Sequence, residues 1–521
     1  MTYLKNIYFH IFLIIFILLG IQLSLNVGIT HDEFHDYNVW IANKNIFLNF
    51  FFKENLDTSY LSGSNKFYGS GFHYISSLFE FFFINLPQLK EYSYTVKQIL
   101  SKHISVFLLF VLSGLVFRKI LKLITNNHHH ANLGTIFYLL YPYLLGHSFF
   151  NVKDIPFLTF WLICTFYIIK ITKNYILEEK ISRKYVLLVS FFTACLLSIR
   201  ISGVLIFIQY LLFILTLASY KKFNLLSFLR NYYKEFLISI SIILSIYIIL
   251  QPSYLENPLL IYDAVRYMSQ HIQTVCTITL GECMKAQNLP SSYLPIWFFF
   301  KIPLIILIGF TLFFIIESKI EKNLIVMTIL SSLIFTVLSI IFLLIIFKVN
   351  LYDEIRQVMF LVPLIFIISL SLIYFFSKKV FGISISLFIL FFAFQNYKIY
   401  PYNYIWINNL SHITKVQNVF ELDYWGVSTK NISAHIKNNF NKNVCLITNR
   451  NNAINSLISE KRCLINFRKL HEKIERPFYV ALMERGVNKG VPNNCKLIHE
   501  EKTNLNFSSE TLTLAKIYKC D

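Results

Sequence analysis

Two adjacent carboxylates, Asp32 and Glu33, follow the first long apolar run of the sequence and are flanked by His31 and His35. Neighbouring carboxylates raise one another's pKa, and a dry pocket raises it further. A carboxylate placed in this way can act as a general base towards a hydroxyl group. A simpler interpretation also stays open, in which both side chains are solvated at the positive end of a helix.

The same segment raises the question of a metal site, because His31 and His35 are four residues apart. A zinc-protease signature has Glu directly after its first His. Here Asp32 holds that place and Glu33 comes one position late. The pattern therefore disfavours a metallopeptidase, and a divalent cation stays an open candidate without a defined ligand set.

A second polar segment, residues 146–156, contains a cation beside a predicted helix start. Asp154 is a good N-cap residue there. Capping does not explain Lys153, whereas a cation near a helix N-terminus is suited to receiving a phosphate. His147 and Asn151 are further candidate substrate contacts in this segment.

Two arginines lie at similar boundaries between apolar runs and polar turns. The simple interpretation of Arg200 is snorkelling towards the membrane surface, and the alternative is a bound phosphate, which the guanidinium fork suits. Arg356 either faces a phosphate or pairs with Asp353 or Glu354. Carboxylates and cations on one face of a membrane bundle are what transfer from an anionic, lipid-anchored donor requires.

Long apolar runs must position these residues. The 521-residue chain is 55% hydrophobic and 15% charged, against roughly 25% charged for soluble domains. Its net charge of +20 comes from basic clusters between apolar runs, as expected of cytoplasmic loops, so no nucleic-acid partner is implied. With the N-terminus in the cytoplasm, eleven membrane helices are predicted, at 7–27, 101–121, 131–149, 155–172, 185–200, 202–219, 235–251, 295–316, 324–347, 357–376 and 380–397.

This topology predicts a multi-pass protein of the cell (inner) membrane with two domains. Residues 1–397 form the transmembrane domain, with extracytoplasmic loops at 28–100 and 252–294. Residues 398–521 form an extracytoplasmic tail, in which strand-length apolar runs alternate with short helices at 428–438 and 451–459. The pattern predicts a small α/β domain, with Ser428 as an N-cap.

Cysteine placement offers an independent check on this topology. Six of the eight cysteines fall in the predicted outer segments, where an oxidising compartment favours pairing. A Cys276–Cys283 bridge is plausible from the short spacing. Scattered free thiols remain the alternative, since connectivity cannot be read from sequence.

Five features of the chain resemble the polytopic glycosyltransferases of the C-type fold, in particular the bacterial relatives of the dolichyl-phosphate-mannose protein mannosyltransferases and of the aminoarabinose transferase. They span nearly the whole chain in the expected order. In that order they are Asp32-Glu33, Asn151-Val152-Lys153-Asp154-Ile155-Pro156, the proline-containing run at 289–304, Tyr352-Asp353-Glu354-Ile355-Arg356-Gln357, and Phe420-Glu421-Leu422-Asp423-Tyr424-Trp425-Gly426.

The resemblance implies that a sugar arrives on a polyprenyl phosphate and that an acceptor hydroxyl attacks its anomeric carbon with inversion. By the same resemblance, Asp32 is the base with Glu33 in support, and Asp154 orients acceptor or donor. The cations that hold the leaving phosphate, where negative charge grows in the transition state, would be Lys153, Arg200 and Arg356.

The chain departs from the family pattern in segment 352–357. Related chains tend to carry Gly and His where Glu354 and Gln357 stand here. The added acid offers Arg356 an internal partner and so weakens its expected phosphate role.

Two other classes of function remain open. A transporter or lipid flippase would show broken helices near mid-membrane and a repeat between its halves, and the sequence indicates neither. An assembly subunit whose tail binds a partner is the third possibility. The sugar, the acceptor (glycan, lipid or protein) and the length of the lipid chain are not indicated.

Overall fold

The computed structural model describes residues 7–255, 257–270, 275–320, 323–408, 410, 415–458, 462–469, 476–483, 490–505 and 510–521, with the backbone alone at 317–320. In chain order its α-helices are α1 (Ile7–Leu25), α2 (Glu33–Phe52), α3 (Gly71–Phe83), α4 (Tyr94–Thr125), α5 (His128–Leu140), α6 (Pro142–Ser148), α7 (Asp154–Glu178), α8 (Arg183–Ile199), α9 (Ile206–Lys221), α10 (Leu225–Asn231), α11 (Tyr233–Leu250), α12 (Leu260–Ser269), α13 (Tyr293–Lys301), α14 (Leu304–Thr311), α15 (Phe313–Ile320), α16 (Leu324–Ile346), α17 (Val362–Phe376), α18 (Lys378–Ile399), α19 (Thr429–Asn439) and α20 (Asn451–Ile458).

The membrane domain follows the predicted apolar runs, and each of the eleven predicted ranges contains helix. Within the described part of the chain, eight helical segments are long and apolar enough to cross a bilayer, or nine if the bent pair α13 and α14 forms one span. The number eleven is therefore not confirmed. Predicted helix 185–200 corresponds to α8, which has 17 residues, fewer than the roughly 20 that a span needs.

Two predicted helices are broken at prolines. The range 131–149 divides at Tyr141–Pro142, and the range 295–316 divides at Ile302–Pro303, where α13 and α14 meet at 115°. Tyr141 and Ile302 are extended, because a following proline disfavours the helical conformation and cannot donate a backbone hydrogen bond. The expectation of unbroken membrane helices was therefore wrong.

The break at Ile302 leaves carbonyls that other side chains satisfy. Tyr141 Oη donates to the Lys301 carbonyl at 2.5 Å, and Asn408 Nδ2 donates to the Ile302 carbonyl at 2.9 Å. Helix ends without such donors are costly away from water. The bend is thus a fixed part of the bundle.

The centre of the bundle is formed by α4, α7 and the segment 356–376. In segment 356–376, 94% of the most apolar 18-residue stretch is buried, compared with 6% of the corresponding stretch in α11. The rings of Trp161 on α7 and Phe360 lie 4.1 Å apart, and Trp161 Nε1 donates to Gln209 Oε1 at 2.7 Å. The central helices therefore hold the site residues at their ends on a well-packed core.

Two sheets lie outside the membrane helices. A hairpin in the second loop pairs β1 (Cys276–Thr279) with β2 (Glu282–Lys285). The tail has a five-stranded sheet in the order β4-β3-β5-β7-β6, with β3 parallel to β4 and β5 and the remaining pairs antiparallel. Its strands are β3 (Leu446–Thr448), β4 (Leu464–Asn466), β5 (Phe478–Met483), β6 (Cys495–Asn504) and β7 (Thr511–Cys520).

The tail sheet packs against α19 and α20 through an apolar layer that includes Ile432, Ile436 and Ile454, which confirms the α/β character expected of this region. Ser428 precedes α19, but its hydroxyl makes no cap hydrogen bond. It donates instead to Asp423 Oδ2 at 2.5 Å, so Ser428 holds the predicted N-cap position without a cap hydrogen bond.

All six cysteines of the predicted outer segments are paired, as Cys276–Cys283, Cys445–Cys463 and Cys495–Cys520. The expected Cys276–Cys283 bridge is therefore present in the structure. The two free cysteines are buried in α7 and α8.

Candidate active site

A cavity of about 290 Å³ lies where the starts of α2 and α7 meet the turn after α8, the loop before α17 and the tail. Four residues predicted from sequence line it, namely Asp32, Lys153, Arg200 and Arg356. Four others do not: Glu33, His147, Asn151 and Asp154 lie behind its wall. The structure thus gathers residues from four distant parts of the chain around one cavity.

Asp32 immediately precedes α2, and its side chain is 32% exposed. Burial alone would raise the pKa of Asp32, but the charges of Arg356 and Lys153, with His31 and His35, lower it to about 2. The expectation that adjacent carboxylates would raise the pKa of Asp32 was wrong, because Glu33 points away and cations surround Asp32.

Glu33 points into the protein. Its Oε2 accepts from the Thr30 backbone N–H at 2.5 Å and the Thr30 hydroxyl at 2.8 Å. Its Oε1 lies 2.6 Å from His103 Nε2 on α4. These contacts fix the start of α2 against α4, so Glu33 can act on Asp32 only by positioning the segment that carries it.

Lys153 forms an ion pair with a residue that the sequence had not singled out as a site residue. Its Nζ lies 2.5 Å from Asp36 Oδ1, one turn into α2. Burial and the charge of Asp32 raise the pKa of Asp36, against the opposing charge of Lys153. The pair joins the start of α2 to the start of α7 at the cavity wall.

Asn151 caps α7 in place of Asp154. Its Oδ1 accepts from the backbone N–H groups of Asp154 at 2.8 Å and Lys153 at 3.2 Å. The predicted capping role of Asp154 was therefore wrong. Its carboxylate accepts from Asn151 Nδ2 at 2.9 Å and pairs with Arg200 Nη2 at 2.7 Å.

Arg200 lies in the extended break between α8 and a short 3-10 turn. Because its guanidinium is paired with the buried Asp154, snorkelling into solvent does not describe it. The pair holds Arg200 at the cavity wall, with its side chain 20% exposed.

Arg356 is held loosely by carboxylates and tightly by aromatic rings. Its guanidinium carbon lies 4.5 Å from the ring centre of Trp425 and 4.9 Å from that of Tyr352. The nearest carboxylate oxygens are 3.7 Å away on Asp32 and 3.5 Å away on Asp353. Its Nε has no hydrogen-bond partner among the described residues.

Glu354 does not pair with Arg356, contrary to the sequence expectation. It pairs with Lys301 Nζ at 2.8 Å, and both side chains are fully buried. Burial raises the pKa of Glu354 to about 7, although the Lys301 ammonium opposes this rise. The internal partner that was expected to weaken Arg356 is thus engaged elsewhere.

A buried chain of polar contacts connects this ion pair to α7. Tyr424 Oη lies 3.4 Å from Glu354 Oε2 and 3.3 Å from His147 Nε2. On its other side, His147 Nδ1 lies 2.9 Å from Asn151 Nδ2. His147 and Asn151 therefore support the wall of the cavity from behind.

The loop that carries Asp353 and Arg356 has an unusual backbone. Asp353 and Glu354 both adopt positive φ, 57° and 66°, a region costly for residues with a side chain. The Asp353 N–H donates to Thr277 Oγ1 at 2.9 Å, and the Glu354 N–H donates to Tyr293 Oη at 3.0 Å. The disulfide-closed hairpin and α13 therefore hold this loop in shape.

Arg450, from the tail, also lines the cavity and was missed by sequence reasoning. It contacts His31 Nδ1 across 419 residues of chain. Burial lowers the pKa of Arg450 to about 10, against the charges of Asp32 and Asp423. No local pattern marks this arginine, because only the docking of the tail brings it to the site.

The two histidines of the first segment have separate neighbours. His31 contacts Arg450, whereas His35 Nδ1 lies 3.0 Å from Tyr60 Oη. Across the residues that the structure describes, no group of three or more His, Cys, Asp or Glu side chains could hold a metal ion.

Fold and site together define a polytopic membrane protein with a charged cavity between the membrane bundle and a small α/β domain. Two crystal structures of ArnT from Cupriavidus metallidurans are similar to it. The apo structure matches with a TM-score of 0.51 and 9% identity over 98% of this chain and 97% of the other. The structure bound to undecaprenyl phosphate matches with a TM-score of 0.50 at the same identity and coverage.

At this identity the likeness shows a shared fold, and it confirms the C-type fold expected from the sequence. No family model matches the chain. No curated protein matches it either.

Proposed function

We propose that this protein is a glycosyltransferase that moves a sugar from a polyprenyl-phosphate donor to an acceptor hydroxyl, with inversion, on the extracytoplasmic face. The observation that carries the proposal is the ionised Asp32 beside Arg356 and Lys153 in one cavity. This transfer needs a base for the acceptor hydroxyl and, beside it, a group that binds the donor phosphate. The similar structure that contains undecaprenyl phosphate supports the choice of lipid.

Arg356 is the leading candidate for binding the donor phosphate. Lys153 and Arg200 are held by carboxylates at 2.5 and 2.7 Å, whereas no carboxylate oxygen of a described residue lies closer than 3.5 Å to Arg356. A guanidinium can meet a phosphate through two parallel hydrogen bonds. Lys153 and Arg200 then add positive potential where charge develops on the leaving phosphate.

Asp32 is the candidate general base. With a pKa of about 2, its carboxylate is ionised at neutral pH but is a weak base. A bound phosphate would neutralise the charges of Arg356 and Lys153, which now hold this pKa down. Asp32 would then become more basic when the donor is in place, closer to what proton transfer requires.

The extracytoplasmic placement of the site is supported by the disulfides. All three lie at the cavity end of the molecule, in the hairpin that holds the Asp353 loop and in the tail that carries Arg450. Disulfides persist in oxidising compartments, whereas basic loops are enriched in the cytoplasm.

The bend between α13 and α14 is the observation that favours the second candidate, a transporter or lipid flippase. Transporters use broken helices whose freed carbonyls coordinate the coupling ion. Here the freed carbonyls of Lys301 and Ile302 already accept from Tyr141 and Asn408. A glycosyltransferase therefore explains more of the site.

The test is Asp32→Asn, assayed in membranes for transfer from a panel of undecaprenyl-phosphate monosaccharides. Loss of a general base should lower kcat by roughly 100-fold or more. Binding of undecaprenyl phosphate should stay the same or tighten, since a carboxylate near the phosphate has been removed.

Asp57→Asn is the control, because Asp57 is an exposed carboxylate of the same outer loop. It should transfer like the unmodified chain. Transfer by Asp32→Asn at the rate of the control would contradict the assignment of the base. Absence of transfer by the unmodified chain with every donor, together with facilitated movement of the lipid across the membrane, would favour the flippase.

A further inference from the structure

A second cavity, of about 610 Å³, lies between helices at the other end of the bundle. Four lysines line it: Lys119 and Lys122 from the last turns of α4, and Lys170 and Lys173 from α7. The N-terminus of α16 closes it through Asn323 and neighbouring apolar residues. The cavity is separate from the candidate active site in both position and lining.

Its position follows from the course of α7. That helix begins at Asp154, behind the wall of the first cavity, and passes Lys173 nineteen residues later. At 1.5 Å per residue the two levels are about 28 Å apart, which is close to the thickness of the hydrocarbon core. Basic residues at this end place it on the cytoplasmic side of the predicted topology.

The charge of this cavity is uncompensated within the described residues. Among the residues that the structure describes, no acidic side chain lines it and none of the four lysines forms an ion pair. The ammonium groups of Lys119 and Lys170 lie 5.8 and 5.7 Å from the ring centre of Phe166. Two cations therefore lie near one aromatic ring, and like charges that line one cavity repel unless an anion lies between or beside them.

Apart from Asn126 and Asn323, the remaining lining is apolar and consists of Leu123, Phe166, Ile325 and Val326. A soluble phosphate needs only the cations, whereas an amphiphile uses the cations for its headgroup and the apolar wall for its chains. Basic pockets between membrane helices on the cytoplasmic side suit anionic lipid headgroups. The combination of four lysines and an apolar wall thus selects an anionic lipid.

We propose that the cavity lined by Lys119, Lys122, Lys170 and Lys173 binds the headgroup of an anionic phospholipid of the cytoplasmic leaflet. The bound phosphate relieves the repulsion among the lysines and ties the ends of α4, α7 and α16 together. This site stands apart from glycosyl transfer, and its lipid is not the proposed sugar donor.

The experiment uses the full chain purified in neutral detergent, with phosphatidylglycerol added at increasing concentration. Thermal unfolding should shift upwards with phosphatidylglycerol and remain unchanged with phosphatidylcholine. Replacing all four lysines by Gln should weaken the apparent affinity at least tenfold, since each lysine contributes to attraction of the anionic headgroup. Replacing them by Arg should preserve the shift.

The matched control replaces four exposed lysines outside this cavity, Lys180, Lys184, Lys378 and Lys379, by Gln. It should retain the response of the unmodified chain. If the fourfold cavity variant does not fold, Lys119→Gln/Lys170→Gln decides the matter, because it removes the two cations beside Phe166. Equal losses in cavity and control variants would overturn the proposal.

A titration with inorganic phosphate distinguishes a lipid headgroup from a soluble phosphate as the source of the bound anion. A shift with inorganic phosphate equal to that with phosphatidylglycerol would overturn the lipid assignment in favour of a soluble ligand. Equal responses to phosphatidylglycerol and phosphatidylcholine would overturn the charge argument altogether. None of these outcomes depends on sugar transfer, so they test this cavity separately from the proposed glycosyltransferase activity.

Discussion

Arg356 is set apart from the other two predicted cations of the cavity by its partners. Lys153 and Arg200 each have a buried carboxylate within 2.7 Å, so much of their charge is compensated before any ligand arrives. Arg356 lies between two aromatic rings instead and reaches Asp32 only at 3.7 Å. A phosphate should therefore gain most from Arg356, since it displaces no close ion pair there.

Arg356→Gln should accordingly weaken binding of undecaprenyl phosphate by roughly 10- to 100-fold, the usual worth of a lost hydrogen bond to a charged group. Lys153→Gln should weaken it less, because Asp36 already compensates much of the charge of Lys153. Equilibrium binding of the labelled lipid phosphate to the purified chain measures both.

Arg183→Gln, an exposed arginine at the start of α8, is the control and should bind normally. A larger loss in Lys153→Gln than in Arg356→Gln would mean that Lys153, and not Arg356, is the main phosphate-binding group.

The residues of the cavity show which site residues can be predicted from the sequence and which cannot. Asp32, Lys153, Arg200 and Arg356 were identified because charges at membrane boundaries need a reason. Asp36 and Arg450 were missed as site residues. Asp36 becomes informative only once Lys153 is known to face it, and Arg450 only once the tail is docked.

At the scale of elements, the apolar runs predicted the helices but not the breaks within them. Pro142 and Pro303 divide two predicted helices. Both breaks could have been predicted from the sequence, because a proline cannot donate a backbone hydrogen bond and disfavours a helical residue before it. The contact between hairpin β1–β2 and the loop before α17 could not have been foreseen. It joins Thr277 to Asp353 across 76 residues through one hydroxyl.

Thr277→Val tests whether the hairpin positions that loop. Without the Thr277 hydroxyl, the buried Asp353 N–H loses its acceptor while the side-chain shape is kept. The positive-φ backbone of Asp353 and Glu354 should then relax, moving Arg356. We expect kcat for sugar transfer to fall by about 10-fold, the scale of one buried hydrogen bond.

Thr277→Ser should restore most of the transfer, because it returns the hydroxyl. Thr311→Val, a hydroxyl on the exposed face of α14, is the matched control and should transfer normally. An unchanged kcat in Thr277→Val, with the chain folded and in the membrane, would mean that the hairpin only covers the loop.

At the scale of the whole molecule, the tail completes the cavity. It supplies Arg450, Tyr424 and Trp425. The Trp425 carbonyl also accepts from the His31 backbone N–H at 3.1 Å, next to Asp32. The sequence identified the tail as a separate α/β unit, but a domain boundary drawn from composition says nothing about which surface docks.

The two ends of the molecule differ in charge and in disulfides, and this difference predicts which side of the membrane each end faces. The cavity end carries every disulfide in the described part of the chain, and the opposite end carries the four-lysine cavity. An exposed cysteine introduced in the tail, Asn455→Cys, should react with a membrane-impermeant maleimide in intact spheroplasts. Lys378→Cys, exposed at the start of α18, should react only after the membrane is permeabilised. The unmodified chain is the background control, because its two free cysteines are buried. The reverse labelling pattern would place Asp32 in the cytoplasm and the basic cavity outside, and would contradict both proposed sites at once.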